Sequence, residues 1–160
     1  MNGEIKNYVL QLLESYPERT RKIALLRYEL EHPSQITSDE IISAMNYGHQ
    51  SGIGRSVGHI SNKTLYIALN YQDQAERLNE ETFEEISAQL TQLEREQAKL
   101  EYYLSLLGHR QELVIRRTCF ERIAQEKVAE EFGVSVRRVQ DIKAQAIDEL
   151  TKMYQFTAKL

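Results

Sequence analysis

Apolar positions recur at helical spacing along most of the 160-residue chain. Near the N-terminus, Ile23, Leu26 and Leu30 are three or four residues apart, as they would be on one face of a helix. Pro17 suits the first turn of that helix, where a missing N–H costs nothing, and Pro33 follows its end. The pattern therefore predicts two short helices before residue 33.

A glycine-rich stretch separates this region from the rest. Residues 37–40 (TSDE) predict a third helix start, because a capping hydroxyl precedes acids in the first turn. Four of the seven glycines then lie within residues 46–60, which predicts a connecting loop. Arg55, His59 or Lys63 could give it a secondary DNA or partner contact. Its histidines lack further ligands at metal spacing, so we expect no metal site.

The centre of the chain carries a heptad repeat. A helix that begins near residues 61–63 and runs to Leu107 would align the apolar positions into one stripe, with steps of three and four. Two interpretations stay open: self-association as a coiled coil, or packing on the N-terminal helices of the same chain. Gln97 is the single polar member, a residue type that can set register or oligomer state. The predicted oligomerisation residues are Phe83, Ile86, Leu90, Leu93, Gln97, Leu100, Leu104 and Leu107.

Charge is distributed unevenly along the chain. Residues 71–108 carry three Lys/Arg and nine Asp/Glu, whereas residues 109–160 carry ten and eight. The most basic end is thus the C-terminal one, which suits a DNA-contacting domain. No apolar run reaches the roughly 20 residues of a membrane span, and the N-terminus lacks the features of a signal peptide. The lone Cys119 favours a reducing cytoplasm.

Residues 125–142 (QEKVAEEFGVSVRRVQDI) match the requirements of a helix-turn-helix. Ala129 is small where the second helix crosses closely, and Gly133 tolerates the positive φ of a tight turn. Ser135 can cap the second helix. Five apolar residues would lock the pair together: Val128, Phe132, Val134, Val139 and Ile142. We predict an all-α chain with an N-terminal helical and oligomerisation region (1–108), containing a coiled-coil-like helix (71–107), and a DNA-binding domain (109–160).

The second helix would enter the major groove and present its N-terminal side chains to base edges. Arg can pair with guanine, Gln with adenine and Asp with the cytosine amino group. We therefore predict base contacts from Arg137, Gln140 and Asp141. Phosphate contacts, which position the protein without reading sequence, are predicted for Ser135, Arg138, Lys143 and Lys127.

Residues 110–150 resemble region 4 of the bacterial sigma-70 factors. The similarity lies in Leu113-Val114-Ile115, Cys119-Phe120, Val128-Ala129, Gly133-Val134-Ser135 and the closing Ala146-Ile147-x-x-Leu150. One departure is Ala124, where such domains commonly have a capping Ser or Thr. The wider chain resembles phage late-gene transcription regulators of the ArpU/RinA type, through the glycine-rich loop, HISNKTLYIALNYQDQAERLN and LEYYLSLL. The resemblance implies a phage or prophage activator that binds double-stranded promoter DNA together with host RNA polymerase.

Other function classes fit less well. A small terminase subunit also combines a helix-turn-helix with oligomerising helices, and a coiled-coil scaffold needs no DNA at all. An enzyme is not expected, because no pair of carboxylates with a histidine or nucleophile lies in a suitable loop. Cys119 falls on an apolar helix face, where a buried structural thiol is usual. We expect no cofactor.

Overall fold

A computed structural model describes residues 2–33, 37, 39 and 62–160, and every regular element in that part of the chain is a helix. This confirms the predicted all-α class over these residues. The predicted helix start at 37–40 and the loop 46–60 lie outside the continuously described ranges. Within those ranges, no helix combines the length and apolarity needed to cross a membrane.

The helices are α1 (Asn2–Glu14), α2 (Tyr16–Glu31), α3 (Asn62–Ser105), α4 (His109–Ile115), α5 (Gln125–Phe132) and α6 (Val136–Ala158), with a π-helical turn at Arg116–Phe120.

The chain forms two units. Unit 1 consists of Met1–Leu25 and Thr91–Leu160, and unit 2 of Leu26–Leu90. This division differs from the predicted boundary after residue 108. The physical reason is that α1 and the last turns of α3 share a hydrophobic core with α6, so the two ends of the chain fold as one body.

The larger core of unit 1 surrounds the second half of α6. In α1, Ile5, Val9 and Leu12 follow one helical face, with Leu13 beside them, and this face packs on α6. The last turns of α3 supply the third side of the cluster. Its buried residues are Val9, Leu12, Leu13, Leu100, Tyr103, Leu104, Leu107, Ile115, Ala146, Ile147, Leu150 and Tyr154.

Pro17 separates α1 from α2, as its place in a first helical turn predicts. Its ring nitrogen has no hydrogen to donate to the preceding turn, so the backbone ladder is interrupted there. Arg19 lies two residues later and is buried. Its guanidinium donates to the carbonyl of Leu12 at 2.8 Å, to Ser15 Oγ at 2.8 Å and to Gln97 Oε1 at 2.9 Å. The junction of α1, α2 and α3 is therefore held by a buried, hydrogen-bonded charge.

A second polar network connects the start of α2 to α3 and α4. Arg116 Nη2 lies 2.6 Å from Glu101 and 3.0 Å from Glu112, and the Tyr16 hydroxyl donates to Glu101. The Tyr16 ring also stacks on Phe120, with 3.7 Å between centroids. Burial by itself raises the pKa of the Glu101 carboxyl, but the hydrogen bonds from Arg116 and Tyr16 outweigh burial and lower it. Glu101 is therefore ionised in the folded protein at neutral pH.

The second half of the heptad stripe is covered by the chain itself. Leu100 and Leu104 are fully buried and Leu107 nearly so, all within the core of unit 1. Gln97 accepts from Arg19 and donates to Thr20 at 2.9 Å. Packing within one chain thus accounts for these four residues, and a self-association seam is not needed to bury them. Leu93, also in unit 1, is half-buried.

The first half of the stripe belongs to unit 2. There Leu90 is buried and Ile86 half-buried, while Phe83 keeps 52% of its surface exposed. Phe83 and Ile86 line an open groove of about 450 Å³ together with Leu30 and Pro33 at the end of α2. Of the predicted oligomerisation residues, Phe83 is the one that is left mostly accessible to another molecule.

Candidate nucleic-acid interface

A tight turn joins α5 to α6, and its backbone matches the prediction made for Gly133. Gly133 is left-handed, with φ 64° and ψ 36°. Its N–H donates to the carbonyl of Glu130 at 3.2 Å, and the N–H of Val134 donates to that of Ala129 at 3.0 Å. These two bonds form a Schellman motif, which satisfies the last carbonyls of α5. The turn needs only three residues between the two helices, because glycine adopts this conformation without a Cβ penalty.

Ser135 begins the second helix, as predicted. Its backbone is extended, and its Oγ accepts from the N–H of Arg138 at 3.1 Å. This is the usual arrangement of an N-cap residue, and such a cap contributes about 1 kcal/mol to helix stability. Ala124, at the start of α5, makes no side-chain cap. The first turn of α5 thus lacks the stabilisation that the first turn of α6 has.

A small hydrophobic cluster fixes the angle between the two helices. Val128 and Val139 are fully buried, and Ala129 and Ile142 almost so. Val114 of α4 is also buried in the cluster, and Phe132 and Val134 are partly buried against it. The five predicted locking residues all contribute, three of them as buried members and two as partly buried ones. Ala129 is buried in the same cluster, beside Val128.

Six of the seven predicted DNA-contacting residues lie on the surface of this segment. The exposed ones are Ser135, Arg137, Arg138, Gln140, Asp141 and Lys127. Lys143 is half-buried instead. It lies one turn after Val139 and so shares the inward face of α6.

The charge on the outer face of α5 is mixed. Glu126 and Glu130 are exposed beside Lys127. Glu131 lies 3.7 Å from Arg117, which also contacts Glu121 at 2.8 Å. Hydrogen bonding to Glu121 raises the pKa of the Arg117 guanidinium. Arg137, Arg138 and Lys127 are exposed and form no ion pair with another residue of the described ranges, whereas the nearby Arg117 is engaged with carboxylates.

Two features of this region escape prediction from the sequence. Arg122, just before α5, has a positive φ of 53°, an uncommon conformation for a residue with a side chain. Across the two helices, Gln140 Nε2 donates to Gln125 Oε1 at 3.1 Å. Neither has a signal in hydrophobic periodicity, since one is a loop conformation and the other joins polar side chains on different helices.

No known protein family, curated protein or solved structure matches the chain.

Proposed function

We propose that α5, the turn at Gly133 and α6 form a helix-turn-helix that binds specific double-stranded DNA, with the start of α6 in the major groove. The observation that carries the proposal is the placement of four polar side chains, Arg137, Arg138, Gln140 and Asp141. All four are exposed on the first two turns of a capped helix whose opposite face is locked by the Val128 cluster. Rigid presentation of hydrogen-bonding side chains at the start of a helix is what base recognition requires.

The donors and acceptors on this surface fit the major groove. Arginine can donate two hydrogen bonds to guanine, glutamine can pair with adenine, and a carboxylate can accept from the cytosine amino group. Arg138 and Lys127 flank these groups and suit phosphates, which give affinity but no sequence information. We expect Arg137, Gln140 and Asp141 to determine sequence preference.

The experiment is selection of duplexes from a random-sequence pool with the full chain, followed by binding measurements on the selected site. Arg137→Ala is expected to cost about 1–3 kcal/mol at that site and to relax preference at one base pair. Lys127→Ala should weaken all duplexes similarly and reduce the salt dependence by about one unit.

Lys152→Ala is the matched control. Lys152 is an exposed cation on the same helix, roughly 22 Å further along its axis at 1.5 Å per residue. It pairs with Glu149 at the surface, so its removal should change neither stability nor binding appreciably. Equal binding by the parent, the Arg137 variant and the Lys127 variant would mean that α6 does not enter the groove as proposed.

The second part of the proposal is that the protein activates transcription together with RNA polymerase. The support is the resemblance of residues 110–150 to sigma region 4, together with the small size of the DNA-contacting surface. A single such segment makes few phosphate contacts, so its binding alone should be modest and salt-sensitive. Association with polymerase or with a second copy would raise the effective concentration at the promoter.

Reconstituted transcription from a promoter that carries the selected site tests this second part. The expected result is more transcript with the parent protein than without it, and no increase with Arg137→Ala. If the parent binds the site yet leaves transcript levels unchanged or lowers them, the activator proposal fails. A repressor or a DNA-packaging protein then becomes the better explanation of the same DNA-binding surface.

A further inference from the structure

The side chains of Gln125 and Gln140 meet across the two helices of the proposed DNA-binding segment. Gln140 Nε2 donates to Gln125 Oε1, with 3.1 Å between the two atoms. Gln125 is the first residue of α5 and half-buried, while Gln140 is exposed in the second turn of α6. The contact thus joins a residue at the entrance of one helix to a side chain that, in the proposed complex, faces the bases.

We propose that Gln125 is a specificity-determining residue, which holds the amide of Gln140 in the orientation that pairs with adenine. The inference rests on the proposed function, since it requires the start of α6 to lie in the major groove. Adenine presents an acceptor at N7 and a donor at N6, and a glutamine amide can engage both at once. Only one of the two ways of turning the amide places its nitrogen at N7 and its oxygen at N6.

The atoms of the Gln125–Gln140 pair leave that bidentate contact available. The amide nitrogen of Gln140 carries two protons, and Gln125 accepts one of them. The second proton can be donated to N7 of adenine, while Oε1 of Gln140 accepts from N6. In this arrangement the nitrogen end of the Gln140 amide faces Gln125, and the groups that contact the base stay available.

Holding the amide before DNA arrives also reduces the entropy lost on binding. A free glutamine side chain has many rotamers, and its immobilisation at an interface costs binding free energy. Without Gln125, this entropy loss would weaken binding at the matched base pair, because only there does the Gln140 amide become ordered by two hydrogen bonds. Loss of Gln125 should therefore reduce discrimination more than it reduces binding to unrelated duplexes.

The test compares binding of duplexes that differ at the base pair read by Gln140, using the full chain. Gln140→Ala should lower the preference for that pair by about 5- to 150-fold. Gln125→Ala should lower the same preference by at least about threefold, with binding to unrelated duplexes nearly unchanged. The double variant should lose no more preference than Gln140→Ala alone, because the two residues act as one unit.

Gln125→Glu separates positioning from a direct contact. A carboxylate still accepts from the Gln140 amide, so the base preference should be kept. Its negative charge near the phosphates should weaken binding to every duplex alike. Gln92→Ala, an exposed glutamine on α3, is the control and should change nothing.

Three outcomes separate the inference from the proposed function. If no duplex is bound by the parent, or if Gln140→Ala keeps every base preference, the placement of α6 is wrong and this inference falls with it. If Gln140→Ala loses the preference while Gln125→Ala keeps it, the inference alone is overturned. The same holds if Gln125→Ala lowers the unfolding temperature and leaves the preference intact, because the hydrogen bond would then only join the helices.

Discussion

Replacement of Leu100 by alanine should destabilise the fold of this protein. Leu100 is a stripe residue of α3, and its side chain is fully buried in the core that α1 and α6 complete. If the stripe packs within one chain, truncation leaves a cavity in that core and lowers the free energy of unfolding at any protein concentration. If the stripe instead joins two copies, the loss should depend on concentration.

The expected magnitude follows from the burial of the side chain. Leucine to alanine removes three carbons, each worth about 0.8 kcal/mol when fully buried. The cavity left behind adds a further term, and measured values for such changes run from about 2 to 5 kcal/mol. We expect a loss of roughly 3 kcal/mol. For a chain of this size that corresponds to a decrease of about 6–12 °C in the unfolding temperature.

Urea unfolding, followed by far-ultraviolet circular dichroism at two protein concentrations about tenfold apart, measures this loss. Leu106→Ala is the control, since Leu106 is 55% exposed just after α3, and surface changes of this kind stay within about 0.5 kcal/mol. Equal losses from Leu100→Ala and Leu106→Ala would refute the burial argument. A parent midpoint that rises with concentration, and ceases to do so in Leu100→Ala, would show that the seam lies between copies.

Three further changes test other contacts. Gln97→Leu should cost about 1–3 kcal/mol, because it removes an acceptor from the buried Arg19 guanidinium. From the heptad pattern alone, the same change would keep or raise stability. The sign of the change in urea unfolding therefore distinguishes the two interpretations of Gln97. Gly133→Ala should cost about 1 kcal/mol through its positive φ, whereas Gly3→Ala, which is exposed within α1 and has open space around it, should not lower the unfolding temperature. The pKa of Glu101 is lowered in the folded protein, so the stability that its carboxylate contributes is present above its ordinary pKa and is lost as the pH falls through the lower folded value. The free energy of unfolding should therefore depend less on acid pH in Glu101→Gln than in the parent. An unchanged pH profile would argue against the network of Glu101, Arg116 and Tyr16.

Local structure near the candidate site follows directly from residue types. Gly133 adopts the left-handed conformation because it lacks a Cβ, and Ser135 caps α6 because a short hydroxyl reaches the N–H three residues on. The alternation of buried and exposed positions around Val139 follows the helical period. These are short-range properties, and each was predictable from a window of a few residues.

The partners of each apolar face depended on the tertiary structure. A heptad stripe shows that one side of α3 avoids water, but any apolar surface can cover it. Only the folded chain shows that α1 and α6 cover Leu100 and Leu104. It also shows that Gln97 accepts a hydrogen bond from the buried Arg19 of its own chain. The burial of Arg19 had no signal at all, because its hydrogen-bonding partners come from α1, from the turn that follows it and from α3.

The same distinction holds at the candidate interface. The exposure of Arg137 and Asp141 follows from helical geometry once Val139 and Ile142 are assigned to the core. The Gln125–Gln140 hydrogen bond does not follow, since it requires the crossing angle that packing of Val128 on Val139 produces. Sequence periodicity orients side chains about one helix axis, whereas contacts between helices are set by how the side chains of both interlock.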